Sequence, residues 1–533
     1  MKLRLLSGTP FAMLGAALLS SLPSIVLAQA IERATFYLVS QAVGGTDTVV
    51  SERVTRTADR LDGEILASTG ARSMYAATLS ASGLVTRLEM HAYRGAADTT
   101  GSTLSFVLGA DSIVARVNNG EPAHLPGTMD ALAIVNPSVG FIEQMIVRAK
   151  AMGGGPGDKA GIPLFIVGSP AIVPLTVTWV GADSALVEYA GVSMRFKVSP
   201  TGLILGGVVP AQRLTIDRGA FVEKLLSERP DYRAPAGAPY TAEDVVVTTA
   251  AGLKLSGTLT IPRGRVGGRA PAIVTITGSG SEDRDEQPVG ALRGYRPFRE
   301  LADTLGRRGI AVLRLDDRGV NGSDIGSKSA TSTDFADDIR AGVAYVRSRP
   351  EIDPARVGLV GHSEGGIIAP MVAATDSKLR AIVLMAGSAS PGRDILRSQQ
   401  HYVIDTMLKL TGVQRESALA ASQRATDSLA ASTPWMKQFI EYDPSVIART
   451  VKTPVLIVHG LTDHQVPASE ADKLAAAFRA GGNASVTVRK FPATNHLFIA
   501  DETGSFDYAK LPSFRVRAEV LSAIADWLGV QFK

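Results

Sequence analysis

The sequence predicts an α/β protein in which a mostly antiparallel β domain precedes a mostly parallel sheet. Residues 245–533 alternate near-continuous apolar strands, such as APAIVTI and TPVLIVHG, with helical segments. Strands that are apolar on both faces are typical of a parallel sheet covered by helices on either side. Residues 31–226 instead contain short alternating strands separated by Gly-, Asn- and Asp-rich turns, as expected for an antiparallel sheet.

The length of 533 residues indicates more than one domain, and 45% hydrophobic residues provide for a sizeable core. Residues 227–244, rich in Pro, Ala and charge, are predicted to link the β domain to the α/β domain. Within the α/β domain, a polar helical segment at 391–448 interrupts the strand–helix alternation. We expect this segment to form a helical cap over the sheet.

The N-terminus has the pattern of a secretory signal. Lys2 and Arg4 precede an apolar run from Phe11 to Leu22, and small residues permit cleavage after Ala28 or Ala30. Residues 1–30 are therefore predicted to be a signal peptide of a bacterial periplasmic or secreted protein, although an uncleaved anchor is an open alternative. Elsewhere no apolar run is long enough to span a membrane, so no span is expected after its removal.

Charge and composition exclude several classes of partner and site. Removal of Lys2 and Arg4 with the signal would lower the formal net charge from +4 to +2, too little to indicate nucleic acid binding. The chain contains no cysteine, which excludes disulfides, thiolate metal sites and a cysteine nucleophile. His459 and His464 match no strong metal-ligand spacing. The sequence therefore predicts neither a metal nor a cofactor, and it does not indicate an oligomeric state.

The run VGLVGHSEGGIIAP (357–370) contains a G-x-S-x-G pattern centred on Ser363, between a predicted strand and a predicted helix. That context is the structural test for a nucleophile elbow. The turn is so sharp that the residues two before and two after the serine approach each other, which favours Gly361 and Gly365. The pattern alone is weak, and a glycine-rich turn without chemistry is the alternative. In its context we interpret Ser363 as the candidate nucleophile.

A serine nucleophile needs a general base, and the base needs an acid to orient it. In this architecture the order along the chain is Ser, then Asp or Glu, then His. Asp463 follows the predicted strand VLIVHG, and His496 follows the predicted strand SVTVRKF. Functional loops of an α/β sheet lie at the carboxyl ends of its strands. The sequence therefore predicts a catalytic triad of Ser363, Asp463 and His496.

Other polar residues near these motifs are interpreted as structural. His362 is expected to brace the elbow, and His459 to pack beside the acid. Asp316 and Asp317, in DDRGVNGSD, are interpreted as part of a supporting turn and not as the triad acid.

An oxyanion hole requires two N–H donors, one from the residue after the nucleophile and one from a loop after an earlier strand. These are predicted to be the backbone N–H groups of Glu364 and Ser279, with Gly280 as an alternative to Ser279. The glycines and serines of TGSGS would allow the backbone to approach a substrate closely.

Three motifs together resemble the α/β-hydrolase superfamily, and within it the bacterial serine esterases and acyl-peptidase-like hydrolases. They are GSGSEDRDE (278–286), DDRGVNGSD (316–324) and GHSEGG (361–366). The resemblance covers residues 240–533 and implies an α/β-hydrolase fold and carboxylic-ester hydrolysis. It carries the nucleophile, acid and base roles to Ser363, Asp463 and His496. Asn321 departs from the usual pattern, but it touches only a turn.

We therefore expect a secreted serine hydrolase that cleaves small-molecule acyl esters through an acyl-enzyme. One rival function is a serine peptidase of the aminoacyl- or prolyl-peptidase type. Such enzymes usually carry a repeated N-terminal half, and no repeat is evident here. A non-catalytic binding protein on a hydrolase scaffold is a second rival, although it would be expected to lose a triad residue or an elbow glycine. The β domain is a candidate binding module for a cell-surface component or another subunit.

Overall fold

The computed structural model describes the chain from residue 31 onwards, and the predicted signal peptide lies outside the described residues. Within 31–533 the description omits 42–46, 69, 94–99, 119, 128–130, 168–171, 190, 226–230, 264–267, 289–293, 328, 431–432, 507 and 509–510. The described strands form two sheets, one N-terminal and one C-terminal.

The N-terminal sheet is a long meander of fifteen strands in the order β8-β7-β6-β5-β4-β3-β2-β1-β15-β14-β13-β12-β11-β10-β9. Neighbouring strands are antiparallel except for β9 and β10, which are parallel. The predicted antiparallel β domain is therefore confirmed. The strands are β1 (Glu32–Ser40), β2 (Asp47–Arg56), β3 (Arg60–Ala67), β4 (Arg72–Leu79), β5 (Val85–Tyr93), β6 (Ser102–Leu108), β7 (Ser112–Val117), β8 (Ala123–Pro126), β9 (Leu132–Ile134), β10 (Lys159–Ile166), β11 (Ile172–Gly181), β12 (Ser184–Tyr189), β13 (Val192–Val198), β14 (Ile204–Val209) and β15 (Leu214–Gly219).

Helix α1 (Val139–Ala151) packs against this sheet through a nearly continuous apolar surface that includes Phe141, Met145 and Ile146. Its N-terminus is held by the buried Glu52 of β2. The Glu52 carboxylate accepts hydrogen bonds from the N–H groups of Val139 and Gly140, at 2.6 and 3.0 Å. A carboxylate at this position satisfies two of the free N–H groups of the first helical turn and complements the helix dipole.

The C-terminal sheet has the order β16-β17-β19-β18-β20-β21-β22-β23. The hairpin β16–β17 is antiparallel, β17 pairs antiparallel with β19, and the remaining pairs are parallel. The strands are β16 (Tyr240–Thr248), β17 (Lys254–Pro262), β18 (Ala270–Ile276), β19 (Ala311–Leu315), β20 (Ile352–His362), β21 (Ala381–Met385), β22 (Val455–Gly460) and β23 (Val486–Phe491). Because β16 begins at Tyr240, the last residues of the predicted linker 227–244 belong to the sheet, and the boundary at residue 245 is too late.

Helices cover both faces of this sheet, as predicted. Apolar side chains of α3, α4 and α9 form one core with the sheet, and those of α2 and α10 form the other. These helices are α2 (Pro297–Arg307), α3 (Ser332–Ser348), α4 (Gly365–Ala373), α9 (Ser469–Ala480) and α10 (Ala518–Gln531). Within the described residues no helix is both long and apolar enough to cross a membrane.

The predicted cap (391–448) is helical and lies between β21 and β22. It consists of α5 (Gly392–His401), a π-helical segment (Tyr402–Met407), α6 (Gly412–Ala430), α7 (Pro434–Glu441) and α8 (Pro444–Ala448). The sheet brings the carboxyl ends of β18, β20, β22 and β23 to the same edge, and the cap is inserted at that edge.

Candidate active site

Ser363 occupies a sharp turn between β20 and α4. Its φ is +52°, a left-handed conformation that a non-glycine residue rarely adopts. A Cβ on Gly361 would lie 2.0 Å from the Gly365 carbonyl oxygen. The steric argument from the sequence therefore holds for Gly361. A Cβ on Gly365 would instead meet the carbonyl oxygen of Ile276 in β18 at 2.2 Å, a contact that the sequence did not predict.

The structure brings together the three residues that the sequence singled out as a triad. Ser363 Oγ lies 3.1 Å from His496 Nε2, and His496 Nδ1 lies 2.8 Å from Asp463 Oδ2. Asp463 follows β22 and His496 follows β23, each in the loop at the carboxyl end of its strand. This is the geometry in which an imidazole can take the serine proton while a carboxylate fixes the ring.

Asp463 is buried and held in one orientation. Its Oδ1 accepts the N–H groups of Gln465 and Val466, both at 2.9 Å. Burial raises its pKa, but His496 and His459 lower it more, so that the pKa lies well below its ordinary value. The carboxylate is therefore ionised at every pH at which the protein would work. His459, predicted to pack, lies 3.3 Å from Asp463 Oδ2 and bonds to the Val466 carbonyl.

Two residues that line the cleft at Ser363 have unbonded backbone N–H groups. Those of Ser279 and Glu364 have no acceptor among the described residues, whereas the N–H of Gly278 is bonded to Glu286 Oε1 at 2.9 Å. Ser279, Glu364, Ser363 and His496 line one cleft of about 240 Å³. The geometry thus leaves the two predicted oxyanion donors available to a ligand.

The side chain of Glu364, whose role the sequence left open, is buried at the edge of the cleft. Its Oε1 accepts the Ser332 hydroxyl of α3 at 2.5 Å and the Trp435 indole N–H of α7 at 2.9 Å. Burial raises its pKa above the ordinary value, and the Ser332, Trp435 and Ser279 side chains oppose that shift. The residue after the nucleophile therefore connects the elbow to the cap.

Hydrogen bonds join the segment GSGSEDRDE (278–286) to the segment DDRGVNGSD (316–324). Arg284 donates its N–H to Asp316 Oδ1 at 2.8 Å and its Nη2 to Oδ2 at 2.6 Å. Asp317 accepts the Thr277 hydroxyl at 2.8 Å and the Glu282 N–H at 2.9 Å. Neither aspartate reaches His496, which agrees with their interpretation as a supporting turn. Sequence reasoning missed the partners because they lie more than thirty residues apart along the chain.

The cap completes the walls of the cleft. Ile395 and Gln399 of α5 and Phe439 of α7 line it, with Ile367, Val466 and Leu497 from the α/β domain. Gln399 Nε2 also donates to the Gln465 carbonyl at 2.8 Å.

Tyr402, in the π-helical segment of the cap, stacks on His464 at a centroid distance of 3.9 Å. No group of three or more His, Cys, Asp and Glu side chains within the described residues is arranged to hold a metal ion.

The chain resembles hydrolases in its sequence. Residues 298–518 match the prolyl oligopeptidase family. The chain is 27% identical over 306 residues to esterase EstD of Thermotoga maritima, a match that covers 56% of this chain and 70% of that protein. It is also 27% identical over 210 residues to the uncharacterized peptidase YuxL of Bacillus subtilis, covering 38% of this chain and 29% of that protein.

Among solved structures, the esterase Pf2001 of Pyrococcus furiosus matches 57% of this chain and 96% of its own, with 17% identity and a TM-score of 0.41. The strand order, the elbow and the sequence matches agree in one conclusion. The C-terminal domain of this protein is a hydrolase domain with the α/β-hydrolase fold, and its residues 298–518 resemble the prolyl oligopeptidase family.

Proposed function

We propose that the protein is a serine esterase that hydrolyses small carboxylic esters through an acyl-enzyme on Ser363. The observation that carries the proposal is the continuous hydrogen-bonded chain Ser363–His496–Asp463 beside two unbonded N–H groups. The matched relative from Thermotoga maritima is an esterase, which supports the same reaction type.

The mechanism follows from the geometry. His496 Nε2 takes the Ser363 proton as Oγ attacks the acyl carbonyl, and Asp463 stabilises the imidazolium that forms. The oxyanion is held by the N–H groups of Glu364 and Ser279, each of which is expected to contribute about 3–4 kcal/mol to transition-state stabilisation. His496 then protonates the leaving alcohol, and it later activates the water that cleaves the acyl-enzyme.

The cleft favours a short acyl group. Its volume is about 240 Å³, and its apolar surface comes from a few side chains such as Ile395, Phe439 and Leu497. A series of p-nitrophenyl esters from acetate to palmitate tests this, and we expect the highest kcat/KM at the short end.

The decisive variant is Ser363→Ala. It should abolish turnover of p-nitrophenyl butyrate and labelling by a fluorophosphonate, because both need the Oγ nucleophile. Ser348→Ala serves as the matched control, because it removes a hydroxyl at the end of α3 whose one bond among the described residues is to the Tyr345 carbonyl of the same helix. Full activity in Ser363→Ala would contradict the proposal.

A serine peptidase is the second candidate, and the match of residues 298–518 to the prolyl oligopeptidase family favours it. Both functions use the same triad, so Ser363→Ala does not separate them. The two functions are separated by comparing turnover of aminoacyl and prolyl p-nitroanilides with turnover of the corresponding p-nitrophenyl esters. Turnover of the p-nitroanilides that is lost in Ser363→Ala would identify a peptidase, whereas ester turnover without anilide turnover would identify an esterase.

We further propose that residues 1–30 direct export and are removed. The basic Lys2 and Arg4 before the apolar run of Phe11–Leu22 support this. N-terminal sequencing of protein recovered from a bacterial periplasm tests it. A mature N-terminus at Gln29 or Ile31 is expected, and an intact Met1 on the recovered protein would contradict it.

A further inference from the structure

One buried pair of side chains touches both loops that flank the nucleophile. His362, the last residue of β20, places Nδ1 2.7 Å from Glu286 Oε1, and both side chains are almost fully buried. The same Oε1 accepts the N–H of Gly278, the residue before Ser279. The other ring nitrogen of His362, Nε2, lies 3.0 Å from the carbonyl oxygen of His496.

The chemistry of the partners fixes the protons on His362. A carbonyl oxygen only accepts, so Nε2 carries a hydrogen. Nδ1 of His362 and Oε1 of Glu286 share a second hydrogen across their 2.7 Å contact. Burial lowers the pKa of His362, but Glu286 and the His496 carbonyl raise it above its ordinary value overall. This shift favours the charged form of His362, in which the bonds at both ring nitrogens are charge-assisted and therefore stronger than neutral ones.

We propose that Glu286 and His362 act as a pair of positioning residues that hold the oxyanion loop and the His496 loop in register around Ser363. The proposal rests on the proposed function, because it takes Ser363 as the nucleophile. Neither side chain bonds to Ser363 Oγ, so their effect passes through the backbone of Gly278 and of His496.

Two further observations support a role beyond packing. Glu286 has a φ of +58°, a strained conformation for a residue with a side chain, and such strain clusters at functional sites. The His362 ring lies 5.0 Å from the His496 ring and 5.9 Å from the Phe498 ring, centroid to centroid. The His362 ring thus packs beside the ring of the base, His496, and its Nε2 also bonds to the backbone of the His496 loop.

The size of the expected effect follows from how sharply catalysis depends on position. A displacement of about 1 Å in a reacting group can reduce the rate about 100-fold. Loss of one oxyanion donor typically reduces kcat by a factor of about 10²–10³. Loosening either loop should therefore lower kcat strongly. KM should change less, because the cap residues Ile395, Gln399 and Phe439 still line the cleft.

The experiment is a double-mutant cycle on the full-length mature chain, with the variants Glu286→Ala, His362→Phe and the double variant. His362→Phe keeps the ring and removes both donors. The readouts are kcat and KM for p-nitrophenyl butyrate, the second-order rate of fluorophosphonate labelling, and the melting temperature. Glu286→Gln, which keeps the side-chain volume, replaces Glu286→Ala if that variant does not fold.

Asp338→Ala is the matched control for loss of a buried ion pair. Asp338, on α3, accepts two hydrogen bonds from the Arg318 guanidinium, at 2.6 and 2.9 Å. It does not line the cleft at Ser363. This variant should lower the melting temperature and leave kcat and labelling close to wild type, because the Arg318 side chain bonds to α3 and not to the loops of Gly278 and His496.

We expect each single variant to lower kcat and the labelling rate by about 30-fold or more, with KM within about threefold of wild type. The double variant should fall no more than about threefold below the worse single variant, because residues that act as a unit are not additive. Folded variants with wild-type kcat, effects that multiply, or an equal loss in Asp338→Ala would each overturn the proposal.

The labelling rate also separates this proposal from the proposed function. If the wild-type protein is labelled at Ser363 but does not hydrolyse esters, the ester assignment fails, and the labelling rates of the variants still test the pair. If the wild-type protein is not labelled at all, the nucleophile assignment fails, and the positioning proposal, which depends on it, fails with it.

Discussion

Trp435 Nε1 donates a hydrogen bond to Glu364 Oε1 across 2.9 Å, joining a helix of the cap to the residue that follows the nucleophile. The same tryptophan stacks on Phe439, one turn further along α7, with ring centroids 5.7 Å apart. Phe439 lines the cleft. The position of this cleft wall is therefore tied to the nucleophile elbow through a single buried acceptor.

Replacing Trp435 by Phe should weaken substrate binding more than it slows chemistry. The variant removes one donor to a buried carboxylate, a loss of about 1–3 kcal/mol, and frees α7 to move. We expect KM for p-nitrophenyl butyrate to rise by about 3- to 10-fold, with kcat changed less than about threefold. Steady-state kinetics on the purified protein measure both.

Trp527→Phe is the control for this substitution, because Trp527 is a half-buried tryptophan on α10 and lies in the core on the other side of the sheet. It should lower the melting temperature without a rise in KM. A Trp435→Phe variant that matches its wild-type KM would show that the cap is held in place by other contacts.

The triad could be predicted from the sequence because each of its residues sits directly after an apolar strand. Asp463 and His496 follow β22 and β23, and their order along the chain is fixed by the architecture. Glu286 and the cap partner of Glu364 could not be predicted in this way. The Glu286–His362 contact joins residues 76 positions apart, and the Glu364–Trp435 contact joins residues 71 positions apart. Nothing local in the sequence selects those partners.

In the N-terminal sheet too, local features could be predicted from the sequence and contacts between distant residues could not. Its turns predicted the individual hairpins, because Gly, Asn and Asp mark the chain reversals. The pairing of β1 with β15 closes a loop of more than 170 residues, and the burial of α1 against the sheet depends on Glu52. Both are set by tertiary packing, which a local pattern does not encode.

Gly361→Ala should abolish activity and soluble expression together. The new Cβ would lie 2.0 Å from the Gly365 carbonyl oxygen, so the elbow would have to open and Ser363 would move. Gly529→Ala is the matched control, since a Cβ there meets nothing within 4 Å in the last turns of α10. That control should gain about 0.5–1 kcal/mol in free energy of unfolding. An active, stable Gly361→Ala protein would contradict the elbow geometry.

Glu52→Gln should destabilise the N-terminal domain. Glu52 accepts four hydrogen bonds, from Tyr75, Ser138, Val139 and Gly140, and an amide in its place turns one acceptor into a donor. Leaving buried donors unpaired costs about 1–3 kcal/mol in free energy of unfolding. Chemical denaturation followed by circular dichroism measures the loss.

Glu89→Gln is the control for this change, because Glu89 is exposed on β5 and pairs with Arg87 at 2.8 Å. Its effect should stay within about 0.5 kcal/mol. Equal stability of Glu52→Gln and Glu89→Gln would contradict the role of Glu52 in holding α1.

Glu282→Gln should stabilise the α/β domain at pH 8 and not at pH 4. Burial raises the pKa of Glu282 to about 8, with the nearby Glu286 and Asp283 adding to the shift and His362 opposing it. A carboxyl group whose pKa is raised on folding makes the folded state less stable as pH rises from its unfolded pKa, near 4.5, to its folded pKa. Above pH 8 the loss of folding stability from ionising Glu282 is complete. The uncharged amide of Glu282→Gln does not ionise and so does not suffer this loss.

The measurement is the melting temperature of wild type and variant between pH 4 and 9. We expect the two curves to meet near pH 4 and to separate as pH rises, with the variant higher by about 2–4 °C for each kcal/mol relieved. Glu502→Gln, at an exposed carboxylate, makes the same change in net charge and should show no such separation. If the Glu282→Gln curve runs parallel to wild type over the whole range, ionising Glu282 costs the folded state no stability, which would contradict the raised pKa. The carboxylate, which lines the cleft, would then be more hydrated than the packing of its loop implies.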